Sequence, residues 1–189
     1  MEKYFYLAYG ANTHVEHMRQ RCPDARYIAN ATLMKHRLVF RGVADVVYDK
    51  RSTVLCALWR ITYRDLTRLD WFEQYPNLYG RRAAKIRLNA KDDEALFYYM
   101  QGARVDEYEP PHAYETALRE GYAQCKMPTE QIDHAIKSAK NSAHREKRYR
   151  GKWLAKSRHE SPAGWVPYAR TVPKQLHINF DVSDKKVFN

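Results

Sequence analysis

Two short stretches carry residues whose types and spacing could do chemistry. One is Tyr9-Gly10-Ala11-Asn12, placed where an aromatic, alternating segment (Lys3 to Tyr9) runs into a glycine. The other is Thr62 to Tyr79, TYRDLTRLDWFEQYPNLY, with Glu73 at its centre. Strand, glycine turn and helix start together present backbone N–H groups to an anionic or carbonyl ligand. In the second stretch Thr62 is a suitable N-cap, Asp65 falls in the first turn, and Leu66, Leu69 and Phe72 or Glu73 share one face. A carboxylate on the edge of that stripe would be partly desolvated, which raises its pKa and suits it to proton transfer near neutrality. The competing reading is plain: Glu73 ends the helix in solvent before Pro76, and Gly10 is there for steric reasons alone. Spacing by itself favours that plainer reading.

A third cluster is set aside. His14 and His17 stand at i, i+3 with Cys22 beyond, but no fourth ligand accompanies them, so an exposed helix face is expected and no metal. Cys22, Cys56 and Cys125 are odd in number and form no ligand pattern, which points to a reduced, cytoplasmic chain. The N-terminal apolar run is too short for a signal segment and reads as a first strand, and nothing approaches a membrane span.

The elements that must position these residues follow in order. Thr13 is expected to cap a helix from about His14 to Arg21, closed by Pro23. Short strands are expected over Ala29 to Leu33 and His36 to Arg41, with a bend at Met34-Lys35. Gly42 to Asp45 continues the same sheet, Asp49 to Ser52 forms a polar turn, and Thr53 to Ile61 is the most apolar strand. After the Thr62 helix come strands from Tyr79 to Leu88 and Ala95 to Gln101, then helices from about His112 to Ala123 and Thr129 to Arg148. Strands, helix, strands and then helices make an α+β chain with a mixed sheet. A domain over 1–125 is expected, with 126–189 as a basic helix and wrapping arm packed on it.

The net charge of +11 is concentrated late. Between Lys137 and Arg158 only Glu146 opposes nine basic residues, and Tyr149, Trp153, Trp165 and Tyr168 are interleaved or follow. Such a segment can hold a polyanion or nucleic acid, although a solvated face with docked aromatics is the duller and favoured reading.

Taken together, the motifs resemble the γ-glutamylcyclotransferase-like (AIG2-like) family. Its carriers are Tyr9-Gly10-Ala11-Asn12, Met18, Arg21-Cys22-Pro23-Asp24-Ala25, His36 to Phe40, Leu58 to Thr62 and Leu69-Asp70-Trp71-Phe72-Glu73. Tyr79, Tyr98 and Tyr114 fall where the family tends to place cavity tyrosines. The resemblance spans roughly Tyr4 to Tyr122. It implies a small mixed β-barrel with flanking helices and a cavity at its mouth. It also implies that Glu73 is the acid-base residue, that Tyr9 to Asn12 form the substrate loop, and that no cofactor is needed. The implied reaction turns a small γ-glutamyl amine or peptide into 5-oxoproline and a free amine. Two positions depart from the family pattern: Ala11 replaces a common hydroxyl residue, and Gln74 a common glycine. Either could alter the substrate or the cavity. The rival readings are a metabolite-binding module of the same fold that performs no chemistry, and a nucleic-acid-associated protein acting through the basic segment.

Overall fold

The computed structural model describes residues 3–88, 91–102 and 106–142. Five strands form one mixed sheet in the order β2-β3-β1-β5-β4. They are β1 (Lys3–Ala8), β2 (Arg26–Phe40), β3 (Ala44–Thr62), β4 (Tyr79–Leu88) and β5 (Lys91–Met100). The three helices with full boundaries are α1 (Val15–Arg21), α2 (Tyr63–Phe72) and α3 (His112–Gln124). Residues 130–142 are also helical. The mixed α+β architecture is as expected, but the barrel is not closed. β2 and β4 come into contact yet exchange no ladder, so they remain the two edges of an open sheet.

β1 lies at the centre. It pairs antiparallel with β3 from Lys3↔Thr62 to Ala8↔Ala57, and parallel with β5 at Phe5↔Ala95 and Tyr6↔Leu96. A central strand is covered on both faces, which is why Tyr6, Leu7 and Ala8 are all buried and the alternation of its first residues is lost. The chain leaves this strand directly into Gly10, so the loop starts from the most constrained part of the sheet.

The β2–β3 hairpin is longer and more regular than the sequence suggests. The separate strands expected around Met34-Lys35 are one strand, broken only by register shifts between Tyr27 and Ala29 and between Met34 and His36. Lys35 absorbs the second shift at φ 59°. The polar turn expected at Asp49 to Ser52 is not a break between strands: these residues lie within β3. Asp49 accepts the Arg51 N–H at 3.0 Å and the Ser52 hydroxyl at 2.8 Å while the strand continues past it. The ladder resumes at Met34↔Thr53, so these residues are an extra stretch opposite Lys35.

α3 carries Tyr114, Leu118, Gly121 and Tyr122 on its buried face and lies against the loop that follows β1. The helical run after it is docked on the sheet. Gln131 bonds both backbone groups of Leu55 at 2.9 Å and the Tyr122 hydroxyl at 2.6 Å, and Ile132, Ala135 and Ala139 are buried. Of the basic segment, Lys137 and Lys140 are described, and Lys140 approaches Glu109 at 3.5 Å. The rest of that segment and the arm expected from Ser161 onward lie outside the described residues.

Gly121 sets the distance between α3 and the loop. A β-carbon there would stand 2.5 Å from Thr13 Oγ1, 2.6 Å from His14 N and 2.9 Å from His14 Cα. Two of those neighbours are backbone atoms and cannot rotate away. Gly121→Ala is therefore expected to destabilise the protein by about 1–3 kcal/mol, as overpacking does, measured as a lowered urea midpoint.

Candidate functional site

The loop after β1 is a single 3-10 turn over Ala11–Thr13. Thr13 N–H and its hydroxyl both donate to Gly10 O, each at 2.9 Å, and His14 N–H reaches Ala11 O at 3.3 Å. Thr13 is thereby wholly buried inside the turn, and the N-cap of α1 passes to His14, one residue later than expected. Gly10 is needed for close approach: a β-carbon would meet Ala44 Cβ and the Tyr114 hydroxyl, each at 3.1 Å.

α2 begins with a full capping box. Asp65 N–H donates to Thr62 Oγ1 while Asp65 Oδ2 accepts from the Thr62 N–H at 3.0 Å. Leu66 and Leu69 are buried beneath it, whereas Trp71 is 79% exposed. Glu73 is the C-cap, its N–H donating to Leu69 O at 2.8 Å. It does end the helix, as the plainer reading held, but it is half-buried and its carboxylate turns inward to the loop. Glu73 Oε1 accepts from Asn12 Nδ2 at 2.9 Å. The two stretches that stood out in the sequence thus meet through one side-chain hydrogen bond.

The chain turns away sharply after Glu73. Gln74 has φ 51°, in the left-handed region where a side chain is disfavoured, and its carbonyl accepts from the Asn77 and Leu78 N–H groups. Gln74 is exposed, and its backbone holds a conformation that glycine adopts more readily than a residue with a side chain.

Asn12 is 4% exposed and uses both ends of its amide. Nδ2 also donates to the Tyr6 hydroxyl at 2.9 Å, and Oδ1 accepts from Arg21 Nη1 at 2.6 Å. The Arg21 guanidinium lies 3.9 Å from the centre of the Phe72 ring. Burial pushes the Glu73 carboxyl up to about 7, while the Arg21 charge and the Asn12 hydrogen bond pull in the opposite direction. Burial also raises the Tyr6, Tyr9 and Tyr79 hydroxyls well above their ordinary range and takes Tyr114 to about 12. The Glu73 charge adds to each of these shifts, so all four phenols stay neutral around it.

The tyrosines singled out in the sequence occupy different places. Tyr79 donates to Ala44 O at 3.1 Å, and the Tyr114 oxygen accepts the Ala44 N–H at 3.1 Å and a backbone hydrogen bond from Ala11. The Ala11 N–H, expected to face a ligand, is therefore engaged with Tyr114. Tyr9 turns its hydroxyl to Tyr98 O at 2.8 Å, and its own carbonyl receives the Tyr122 hydroxyl at 2.9 Å. Tyr98 stands one ring further out. It packs edge-on to Tyr6 at 5.8 Å and donates to Asp70 Oδ1 at 2.6 Å, where Arg81 also binds Asp70 at 2.6 and 2.7 Å.

Sequence reasoning did not single out Tyr6 or Arg21. Tyr6 looked like one more aromatic in a strand, and Arg21 like an ordinary cation at a helix C-terminus. The signal for Arg21 was its place in the Arg21-Cys22-Pro23 motif. The His14 and His17 rings stack at 4.1 Å, His14 approaches Glu120 at 3.6 Å, and burial lowers His17 to about 4. Cys22 instead bonds Asp65 O, and no group of metal-ligating side chains occurs among the described residues. All three cysteines are free and buried.

Residues 6–117 match the family described as gamma-glutamyl cyclotransferase, AIG2-like. The chain belongs to that family. Solved structures agree on the fold. An uncharacterized protein from Homo sapiens aligns with TM-score 0.62 and 22% identity, covering 70% of this chain and 86% of its own. A gamma-glutamyl cyclotransferase aligns with TM-score 0.59 at the same identity and coverage. YkqA from Bacillus subtilis gives TM-score 0.61 at 19% identity, covering 73% of this chain and 55% of its own. No curated protein matches the chain. No helix among the described residues is long and apolar enough to cross a membrane.

The raised carboxyl has a thermodynamic consequence. An unfolded glutamate releases its proton near the ordinary value of 4.5, whereas folded Glu73 holds it to about 7. The stability this group contributes is present below 4.5 and is lost as pH rises through that window. Between pH 5 and 8 the wild type should lose up to about 3 kcal/mol that Glu73→Gln does not lose. Urea unfolding of both proteins across this range reads the difference.

Proposed function

We propose that this protein is a γ-glutamyl cyclotransferase that converts a small γ-glutamyl amine or peptide into 5-oxoproline and a free amine. The observation carrying this reading is the Glu73 carboxylate. It is held by Asn12 beside the loop after β1, and burial brings it to about 7, where it can both take and give a proton. Family membership supports the choice of reaction over other proton transfers.

The reaction balances on this one residue. The α-ammonium of the glutamyl group must lose a proton before its nitrogen can attack, and the Glu73 carboxylate accepts it. The nitrogen then attacks the γ-carbonyl carbon of the same glutamyl chain, forming the ring C–N bond. As the original amide C–N bond breaks, Glu73 returns the proton to the departing amine; the second proton of the ring nitrogen then leaves by the same carboxylate, so that the products are a neutral lactam and an ammonium. Ring closure is intramolecular, so a site that holds the chain folded supplies much of the rate. The backbone of the Gly10 to Asn12 turn is the candidate for stabilising charge on the carbonyl oxygen. The Ala11 N–H joins in only if the substrate displaces its bond to Tyr114. Neutral Tyr6, Tyr79 and Tyr114 add no competing charge around the carboxylate, and with Tyr9 and Tyr98 they are the candidate walls for the substrate.

The test is 5-oxoproline release from a panel of γ-glutamyl amino acids, γ-glutamyl peptides and γ-glutamyl amines. Wild type should turn over at least one panel member. Glu73→Gln keeps the shape and a hydrogen-bonding group but cannot cycle a proton, and should lose activity by at least about 10²- to 10⁴-fold. The wild-type kcat/KM should rise with pH through about 7 as Glu73 ionises. Near-wild-type turnover by the Gln variant would dismiss Glu73 as the base. Binding of panel compounds without turnover would favour a metabolite-binding module.

A further inference from the structure

Arg21 is the cation of this site, and the reaction above gives it no task. It closes α1, where an arginine ordinarily turns outward toward the last carbonyls and water. Here it turns inward, is half-buried, and lies over the Phe72 ring. Its one hydrogen bond among the described residues goes to Asn12 Oδ1 at 2.6 Å, and no described carboxylate stands within ion-pair distance. Withdrawing a guanidinium from water without a direct counter-ion is costly, and a group whose only task was packing could be apolar.

The amide of Asn12 explains the arrangement. A guanidinium has donors only, so it can face only the oxygen end of the amide. Once Oδ1 is held there, the NH2 group is fixed on the opposite side, where it meets Glu73 Oε1 and the Tyr6 hydroxyl, each at 2.9 Å. Turned over, the amide would set its oxygen against the Glu73 carboxylate and its NH2 against Arg21, two mismatches at once.

We infer that Arg21 is a positioning residue: by gripping Asn12 Oδ1 it fixes the amide that holds Glu73 toward the loop, and its charge favours the ionised carboxylate. The effect on turnover rests on the cyclotransferase reading; the effect on Glu73 does not. The groups facing Glu73 from the surrounding elements are Tyr6 on β1, Tyr9 and Asn12 after it, Arg21 on α1, Tyr79 on β4 and Tyr114 on α3. The four tyrosines are neutral, so Arg21 is the charge in this set that opposes protonation.

The experiment titrates the Glu73 carboxyl by carbon-13 NMR, assigned by its loss in Glu73→Gln, in wild type and in Arg21→Met, Arg21→Gln and Arg21→Lys. Removing the charge should raise the midpoint by about one unit in the Met and Gln variants, whereas Lys should stay near wild type. With the best substrate of the panel, the rise of kcat/KM with pH should move by the same amount. The kcat of Arg21→Met should fall roughly ten- to hundred-fold with a smaller change in KM. A folded Met or Gln variant that titrates like wild type overturns the inference, as does a Lys variant that shifts as far as Met. If Arg21→Met fails to fold, the Gln and Lys pair decides. If wild type releases no 5-oxoproline, the proposed function fails while the titration still rules on Arg21.

Discussion

The side-chain amide of Asn12 is the constraint on which the site depends. It is buried, it has two unlike ends, and each end is committed. The oxygen is taken by Arg21 and the nitrogen is shared between Tyr6 and Glu73. Those three partners come from the end of α1, the central strand and the end of α2. One amide therefore ties together three elements, and a shift in any of them would leave a buried polar group unpaired.

The framework around that amide holds backbone positions firmly while leaving the side chains at the centre with chemistry to do. Thr13 and Gly10 satisfy the turn internally, the capping box starts α2, and the Glu73 N–H closes it. Outside the Glu73 neighbourhood a second polar group, Asp70 with Arg81 and Tyr98, links α2 to β4 and β5. α2 is thus fixed along its length by buried leucines and at its far end by charge, so the direction in which Glu73 leaves the helix is set by the fold and not by the residue itself.

Much of this was legible in the sequence, and the misses have physical reasons. The capping residues of α2, the strand–turn–helix at Gly10 and the α+β order rest on local signals, and local signals survive without tertiary context. Whether Glu73 pointed to water or inward did not, because a C-cap residue can do either; only the Asn12 contact, 61 residues away in sequence, decides it. Arg21 escaped for the same reason, since a cation at a helix end is locally unremarkable. The polar residues Asp49 to Ser52 signal a turn locally, yet β3 runs through them as strand because the long pairing with β2 continues on both sides. Open versus closed sheet was likewise not local, as it depends on whether β2 and β4 meet in register.

That open sheet bears on how copies of the protein meet one another. An unpaired strand edge is a template for another chain, and proteins with such edges guard them. β2 carries Arg26, Lys35 and Arg37, β4 carries Arg81, Arg82, Lys85 and Arg87, and neither strand contains an acidic residue. Arg37, Arg81 and Arg87 are paired with Glu107, Asp70 and Asp92, so the cations that edge-to-edge approach would set against one another are Arg26, Lys35, Arg82 and Lys85. Part of the positive charge on these strands is thus placed where it would oppose edge-to-edge pairing, a role that requires no polyanion.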